Sequence, residues 1–259
     1  MISDDFVKQK SLLWKIDERT IYREYLQWLF LQVFYQHKFS QSSAFFKGGT
    51  ALRLLFRSFR FSEDLDFTCT GTPENLQAVI DEVVNFLPKE TNLEVHLRDE
   101  KFFAKVGLGV RIVFSGKGFK QPLGIRLDFS FREKPFDALL TVPICHDYPI
   151  SMIPPIAHYS KKEITAEKIR AIFARNKNRD IFDLWFLLKS GENIPWDMVE
   201  EKMKYYPEII FSKNLLAEKI SLLKPEDFTT DLNQFLPLNY RGLYGSFLTE
   251  LAQLIKQQV

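Results

Sequence analysis

The chain is poor in the residues that build disulfide frameworks, metal clusters and membrane spans. Its two cysteines, Cys69 and Cys145, lie far apart and lack metal spacing, which argues against a disulfide scaffold or a thiolate metal site and leaves two buried thiols in a reducing compartment. The four histidines, His37, His96, His146 and His158, form no ligand-like pair and are expected on the surface or in loops. No apolar run approaches the roughly 20 residues that a membrane span needs, and the polar, acidic start MISDDFVKQK has no apolar signal core. The expected location is the cytoplasm, with no membrane partner. Charge of one sign is also scarce: 35 basic against 33 acidic residues leave a net +2, so any site for a polyanion must be local. Phenylalanine, by contrast, is plentiful. Twenty-five of them in a chain that is 46% hydrophobic imply a core built with large aromatic side chains, and 259 residues suffice to bury it.

Periodicity gives the organisation. From Asp17 to Phe39, Ile21, Tyr25, Trp28, Leu29 and Val33 recur at helical intervals, a helical lead-in over 1–40. After Gly48-Gly49, the segment TALRLLFRS predicts a short helix with Thr50 placed to cap it. A basic hairpin follows, and EDLDFTC then alternates as a strand does. TPENLQAVIDEVVNFLP is helical, with Thr72 as cap, Pro73 at the first position and Pro88 expected just past the end. Between Asn92 and Phe131 the segments LEVHLRD, KVGLGVRIVFS and LGIRLDFSF predict three strands parted by Gly-Lys-Gly and Pro-Leu-Gly turns. The fold class is therefore α+β, with a mixed or antiparallel sheet over 41–158. The proline-rich stretch YPISMIPPIAHYS, unsuited to a helix or a central strand, marks the boundary with a helical domain over 159–259.

The chemistry is concentrated in FFKGGTALRLLFRSFRFSEDLDFTC, Phe45 to Cys69. In a strand, residues two apart share a face, so Asp64 and Asp66 stand some 6–7 Å apart on one side, while Leu65 and Phe67 face the core. A third acid, Asp128, alternates in GIRLDFSF in the same way and shares its face with Arg126. If the two strands are neighbours, three carboxylates meet. At about 5 Å they repel by several kcal/mol, and a divalent cation relieves that repulsion; Mg²⁺ is usually held by one or two carboxylates together with substrate phosphates. Alone, such an acidic pair is more often a solvated face. Two companions shift the balance. Gly48-Gly49 before a helix lets a phosphate approach the backbone and the free N–H groups beyond. In EITAEKIRAIFARNKNRDIFDLWFLL, at 100° per residue on one continuous helix, Lys168, Arg175 and Arg179 fall within about 40° on the edge of the apolar face, followed by Asp180 and Asp183. Such stripes are commonly a solvated face too. A break at Asn176 to Asn178 would divide this one.

These motifs, in this order, resemble those of the AbiEii/AbiGii nucleotidyltransferase-like toxins, within the wider DNA polymerase β-type nucleotidyltransferase superfamily. KGGTAL with RFSEDLDF carries Gly48, Gly49, Thr50, Asp64 and Asp66; RLDFS carries Asp128; AEKIRAIFARNKNRDIFDL carries Lys168, Arg175, Arg179, Asp180 and Asp183. The resemblance covers about Phe45 to Leu188 and implies a nucleotidyltransferase-like mixed sheet flanked by helices. It implies the toxin of a toxin–antitoxin pair that moves NMP from an NTP to an acceptor, with tRNA the acceptor in some relatives and a cognate antitoxin as partner. On it, Asp64 and Asp66 hold Mg²⁺ or Mn²⁺ with Asp128, Asp128 helps to activate the acceptor hydroxyl, and Lys168 steadies the triphosphate. Gly48, Gly49, Thr50, Arg175, Arg179, Asp180 and Asp183 complete the nucleotide site.

Two other classes stay open on the sequence. One is a silent module of the same fold that senses NTP or docks an antitoxin. The other is a two-metal nuclease, which normally needs more acids or histidines. In the last 70 residues, Lys202, Lys204, Lys213 and Lys219 among Tyr205, Tyr206 and Phe211 suit either RNA phosphates or an ordinary amphipathic surface.

Overall fold

The computed structural model describes all residues except 104, 105, 117, 118, 120, 176 and 259, and the side chains of 99, 100, 102 and 103 lie outside the description as well. The chain divides into two compact units. One comprises Met1–Arg57 and Phe61–Tyr159, the other Ser58–Arg60 and Ser160–Val259.

The first unit is built on a sheet. Its elements in order are α1 (Asp4–Trp14), α2 (Glu18–Phe34), α3 (Lys38–Ser43), β1 (Ala44–Lys47), α4 (Gly48–Phe56), β2 (Asp64–Cys69), α5 (Pro73–Thr91), β3 (Glu94–Phe103), β4 (Gly107–Ser115), β5 (Leu123–Ser130), β6 (Ala138–Thr141) and β7 (Ile156–Tyr159). Among the described residues the sheet has seven strands in the order β3-β4-β5-β2-β1-β7-β6, with β2 parallel to β5 and β1 parallel to β7 in an otherwise antiparallel arrangement. Alternation places Leu65, Phe67, Leu127 and Phe129 on the buried face. There Phe67 stacks on Phe129 at 4.7 Å between ring centres, and Phe34 of α2 packs on both rings at 5.5 and 6.0 Å. The helical lead-in thus covers the inner face of the sheet, which is where much of the phenylalanine goes.

Several local expectations change in the structure. Pro88 lies inside α5, which runs on to Thr91 before Asn92 turns left-handed. Thr50 is not the cap of α4: Lys47 holds that position, and the Thr50 hydroxyl donates instead to the Asp64 carbonyl. IAHY, placed above in a boundary stretch, is the fully buried strand β7 between β1 and β6. Prolines 154 and 155 end before it begins, so the missing N–H groups fall outside the ladder. His158 is consequently a core residue, 2% exposed, bonded to the Thr141 hydroxyl and the Tyr159 carbonyl. Part of the Gly-Lys-Gly turn, at 117 and 118, lies outside the described residues. Cys69 is buried, which pushes its thiol up to about 11; Cys145, half-buried, is raised to about 11 for the same reason.

The buried Tyr35 hydroxyl lies 2.8 Å from the Ala44 carbonyl and 2.9 Å from the Ala157 carbonyl, tying β1 to β7. Tyr35→Phe leaves these acceptors with one partner fewer and should lower unfolding free energy by about 1–3 kcal/mol, read as a lower urea midpoint at unchanged slope.

The second unit is helical: α6 (Lys161–Ala174), α7 (Asn178–Lys189), α8 (Trp196–Met203), α9 (Lys213–Ser221), α10 (Asp227–Leu232) and α11 (Tyr244–Lys256). Ile169, Leu184, Leu188, Val199, Leu216 and Leu251 form its core. Lys202, grouped above with a basic surface, is 0% exposed and ion-paired at 2.9 Å to both Glu163 and Glu167. It is a structural cation. Lys213 and Lys219 lie over the rings of Trp196 and Phe173, and Lys204 pairs with Glu201.

Candidate active site

Strand register assembles the acids. Asp66 of β2 stands directly beside Asp128 of β5, and Asp64 directly beside Arg126. Directly paired residues of neighbouring strands share a face, so Asp64, Asp66, Arg126 and Asp128 all lie on the side opposite the phenylalanine core. Arg126 reaches along its own strand to Asp128, with Nε 3.0 Å from Oδ2, and is itself half exposed. On the other side of β2, Lys47 of β1 stands beside Asp66. The Lys47 ammonium is 3.3 Å from Oε1 of the buried Glu133 and lies over the Tyr159 ring.

Gly48 opens α4 with φ at +82°, a conformation that suits glycine. A β-carbon there would lie 2.3 Å from Oδ2 of Asp66. The bare backbone of the diglycine corner is therefore what lets the Asp66 carboxylate sit where it does. Gly49 and Thr50 follow, buried in the first turn, and the N-terminus of α4 has no side-chain cap. Its leading N–H groups retain the positive end of the helix dipole.

The donor set consists of oxygens alone, suited to Mg²⁺ or Mn²⁺ rather than zinc. Among the described residues, no three carboxylate, imidazole or thiolate groups are gathered tightly enough to enclose a metal ion by themselves. Two carboxylates abreast, with the third a step along β2, leave coordination positions for substrate phosphate, which is the way Mg²⁺ is commonly held.

The remaining sequence-selected residues fall in the second unit and do not form one stripe. The helix breaks between Ala174 and Asn178, and Arg175 turns extended at the end of α6. Position 176, part of the expected break, is outside the described residues. The break folds Arg175 back, its Nε 2.9 Å from Asp180. Lys168 is 6% exposed and places its ammonium 2.9 Å from Asp180 and 2.7 Å from Asp183. Asp183 is held from the other side by Arg60, with two contacts of 2.8 Å. Arg179 departs from this group and pairs with Asp231 at 3.6 Å.

Lys168, Arg175 and Arg60 thus meet on two buried carboxylates. Burial opposes ionisation of Asp180, but the Lys168 ammonium and the Arg175 guanidinium outweigh it and hold the carboxyl well below the ordinary range. Burial likewise opposes ionisation of Asp183, where Arg60 and Lys168 prevail. Both folded-state values lie below the unfolded ones, so their contribution is complete above about pH 4. It is lost as pH falls further towards the folded values. Thermal melts should show a transition temperature insensitive to these groups from neutrality to about pH 4, and falling below it.

Arg60, Lys47 and Glu133 were not selected from the sequence. Arg60 and Lys47 both lie inside the quoted motif, as the Arg of RFSEDLDF and the Lys before Gly-Gly. A basic residue in a predicted hairpin looks solvated, and only tertiary structure reveals that Arg60 is 2% exposed.

The profile of the family described as "Nucleotidyl transferase AbiEii toxin, Type IV TA system" matches residues 29–255. Among solved structures, the fold is similar to MenT4, a nucleotidyltransferase toxin from Mycobacterium tuberculosis, with TM-score 0.70 and 16% identity over 99% of this chain and 90% of that one. It is also similar to JHP933 from Helicobacter pylori, with TM-score 0.63 and 22% identity over 93% and 92% of the two chains. A putative nucleotidyltransferase from H. pylori gives TM-score 0.63 and 21% identity over 93% and 95%. Among curated proteins none matches. With the family profile spanning most of the chain, this protein belongs to the AbiEii nucleotidyl transferase toxin family of type IV toxin–antitoxin systems.

Proposed function

We propose that the protein transfers NMP from an NTP to tRNA, dependent on Mg²⁺ or Mn²⁺, and that a cognate antitoxin restrains it in the cytoplasm. The observation that carries this reading is the Asp66 carboxylate seated against the bare Gly48 backbone and abreast of Asp128. Asp66 and Asp128, with Asp64, would hold the divalent cation, which when bound neutralises phosphate charge and favours the ionised form of an attacking hydroxyl. The uncapped N-terminus of α4 donates its leading N–H groups to phosphate oxygens, with Gly48 and Gly49 permitting close approach. Asp128 takes the proton of the acceptor hydroxyl as its oxygen bonds to the α-phosphorus and the α–β bridge breaks, releasing pyrophosphate. Lys168 is proposed to steady the phosphates on the strength of its place in the family motif, with Asp180 and Asp183 orienting its ammonium. Positioning and charge stabilisation supply most of the catalysis.

The test is incubation with each α-labelled NTP, total tRNA and Mg²⁺. Label on tRNA is the expected result. Label on the protein alone would make it a self-modifying enzyme, and NTP binding without any transfer would make it a silent module.

A further inference from the structure

Strand register creates a second feature on the face that carries the acids. Arg98 of β3 stands directly beside Arg111 of β4, Arg111 beside Arg126 of β5, and Arg126 beside Asp64 of β2. Three arginines therefore form one cross-strand row that ends on an acid of the candidate site. All three are exposed, and Arg111 is the one exposed position in a strand otherwise buried or half-buried. With strands ~4.8 Å apart, the row spans about 10 Å at the backbone.

The row presents guanidinium groups in a line across three strands, with Arg126 at its end bonded to Asp128. The space around the row is also shaped for it: Gly124 lies where a β-carbon would come within 3.4 Å of the Arg111 Cδ, so the arginine stem lies across a strand left bare. In the adjacent row, exposed Lys101 faces Gly109, which faces Asp128 and then Asp66, adding a cation on the same side.

We propose that Arg98, Arg111 and Arg126 form a track for the phosphate backbone of an RNA acceptor, directing its reacting end to Asp64, Asp66 and Asp128; this rests on the transferase reading above. Planar guanidinium groups bind phosphate oxygens bidentately, and a linear series of them matches a ligand whose phosphates repeat. An NTP carries its phosphates in one short group and would not need cations across three strands. The chain's net charge of +2 gives no general attraction for nucleic acid, so a local row of this kind would carry it.

The test is the double variant Arg98→Gln/Arg111→Gln, compared with wild type by fluorescence anisotropy using fluorescein-labelled total tRNA over a range of KCl. Expected are a Kd raised about tenfold at low salt and a salt slope reduced by about 1–2, with the NTP KM unchanged. Arg98→Lys/Arg111→Lys should recover most of the salt slope, because the charge remains. A cooperative thermal melt of the Gln variant confirms that it is folded. Wild type that binds no tRNA, or a folded double variant that binds it with unaltered Kd and slope, would overturn the track. So would an increased NTP KM with tRNA affinity intact, which would give the row to the triphosphate, or a loss confined to binding of an acidic protein partner. Binding is read without turnover, so tRNA held through the row by a protein that transfers nothing would sink the transferase reading alone.

Discussion

Asp66→Asn is expected to lower kcat for nucleotidyl transfer by about 10²–10³-fold or more, the scale on which a single preorganised electrostatic group acts. The substitution keeps the shape of the side chain and removes one charge from a pair of carboxylates standing abreast on β2 and β5. Asp66 stands between Asp128 on one side and Lys47 on the other, so the substitution relieves a repulsion and weakens an attraction together, and stability should shift by no more than about 1 kcal/mol. Loss of turnover in a protein that melts normally separates a catalytic role from a structural one. Steady-state kinetics with α-labelled NTP, alongside a thermal melt, makes the comparison. Asp66→Asn retaining wild-type kcat would remove Asp66 from the mechanism.

Gly48→Ala should reduce activity on a similar scale, about 10²-fold in kcat, by a different route. At φ +82° an alanine costs about 1–2 kcal/mol in backbone conformation. Its methyl group would also lie 2.3 Å from Asp66 Oδ2. A carboxylate is the far end of a movable side chain, so it swings away at little cost to folding and at large cost to the site. Gly191→Ala is the matched control, with φ at +92° and no heavy atom within 4 Å of the added carbon. Both variants should lose similar stability, while only Gly48→Ala loses transfer. Equal activity in the two would show that the diglycine corner serves chain geometry alone.

The legible parts of this protein were those in which local pattern and tertiary role coincide. Alternation in EDLDFTC and GIRLDFSF specified which face carried Asp64, Asp66 and Asp128, because a half-buried strand must sort its side chains by polarity. Their adjacency needed a pairing partner and register that alternation does not supply. The parallel pairing of β2 with β5 joins residues some 60 positions apart, across α5, β3 and β4. Strand β7 was hidden by the prolines before it, and β1 by its shortness next to Gly-Gly. The basic stripe failed for a physical reason: a helical wheel assumes an unbroken helix, and the chain leaves the helix at Arg175 to bring Arg175 and Lys168 onto the same aspartate. Arg60 was illegible because the expected basic hairpin is instead an irregular connection between α4 and β2, where a lone arginine has no periodicity to betray its burial. The arginine row was hidden in the same way, with one member on each of three strands.

Asp66 and Asp128, seated by the Gly48 backbone, are proposed to hold the divalent cation that meets the NTP. Anomalous diffraction from crystals grown with Mn²⁺ and a non-hydrolysable NTP analogue tests it most directly. The expected result is an Mn²⁺ peak within coordination distance of both carboxylates, with analogue phosphate oxygens completing its shell and the peak absent in Asp66→Asn. Analogue bound with Mn²⁺ elsewhere, and these carboxylates touching neither, would contradict it.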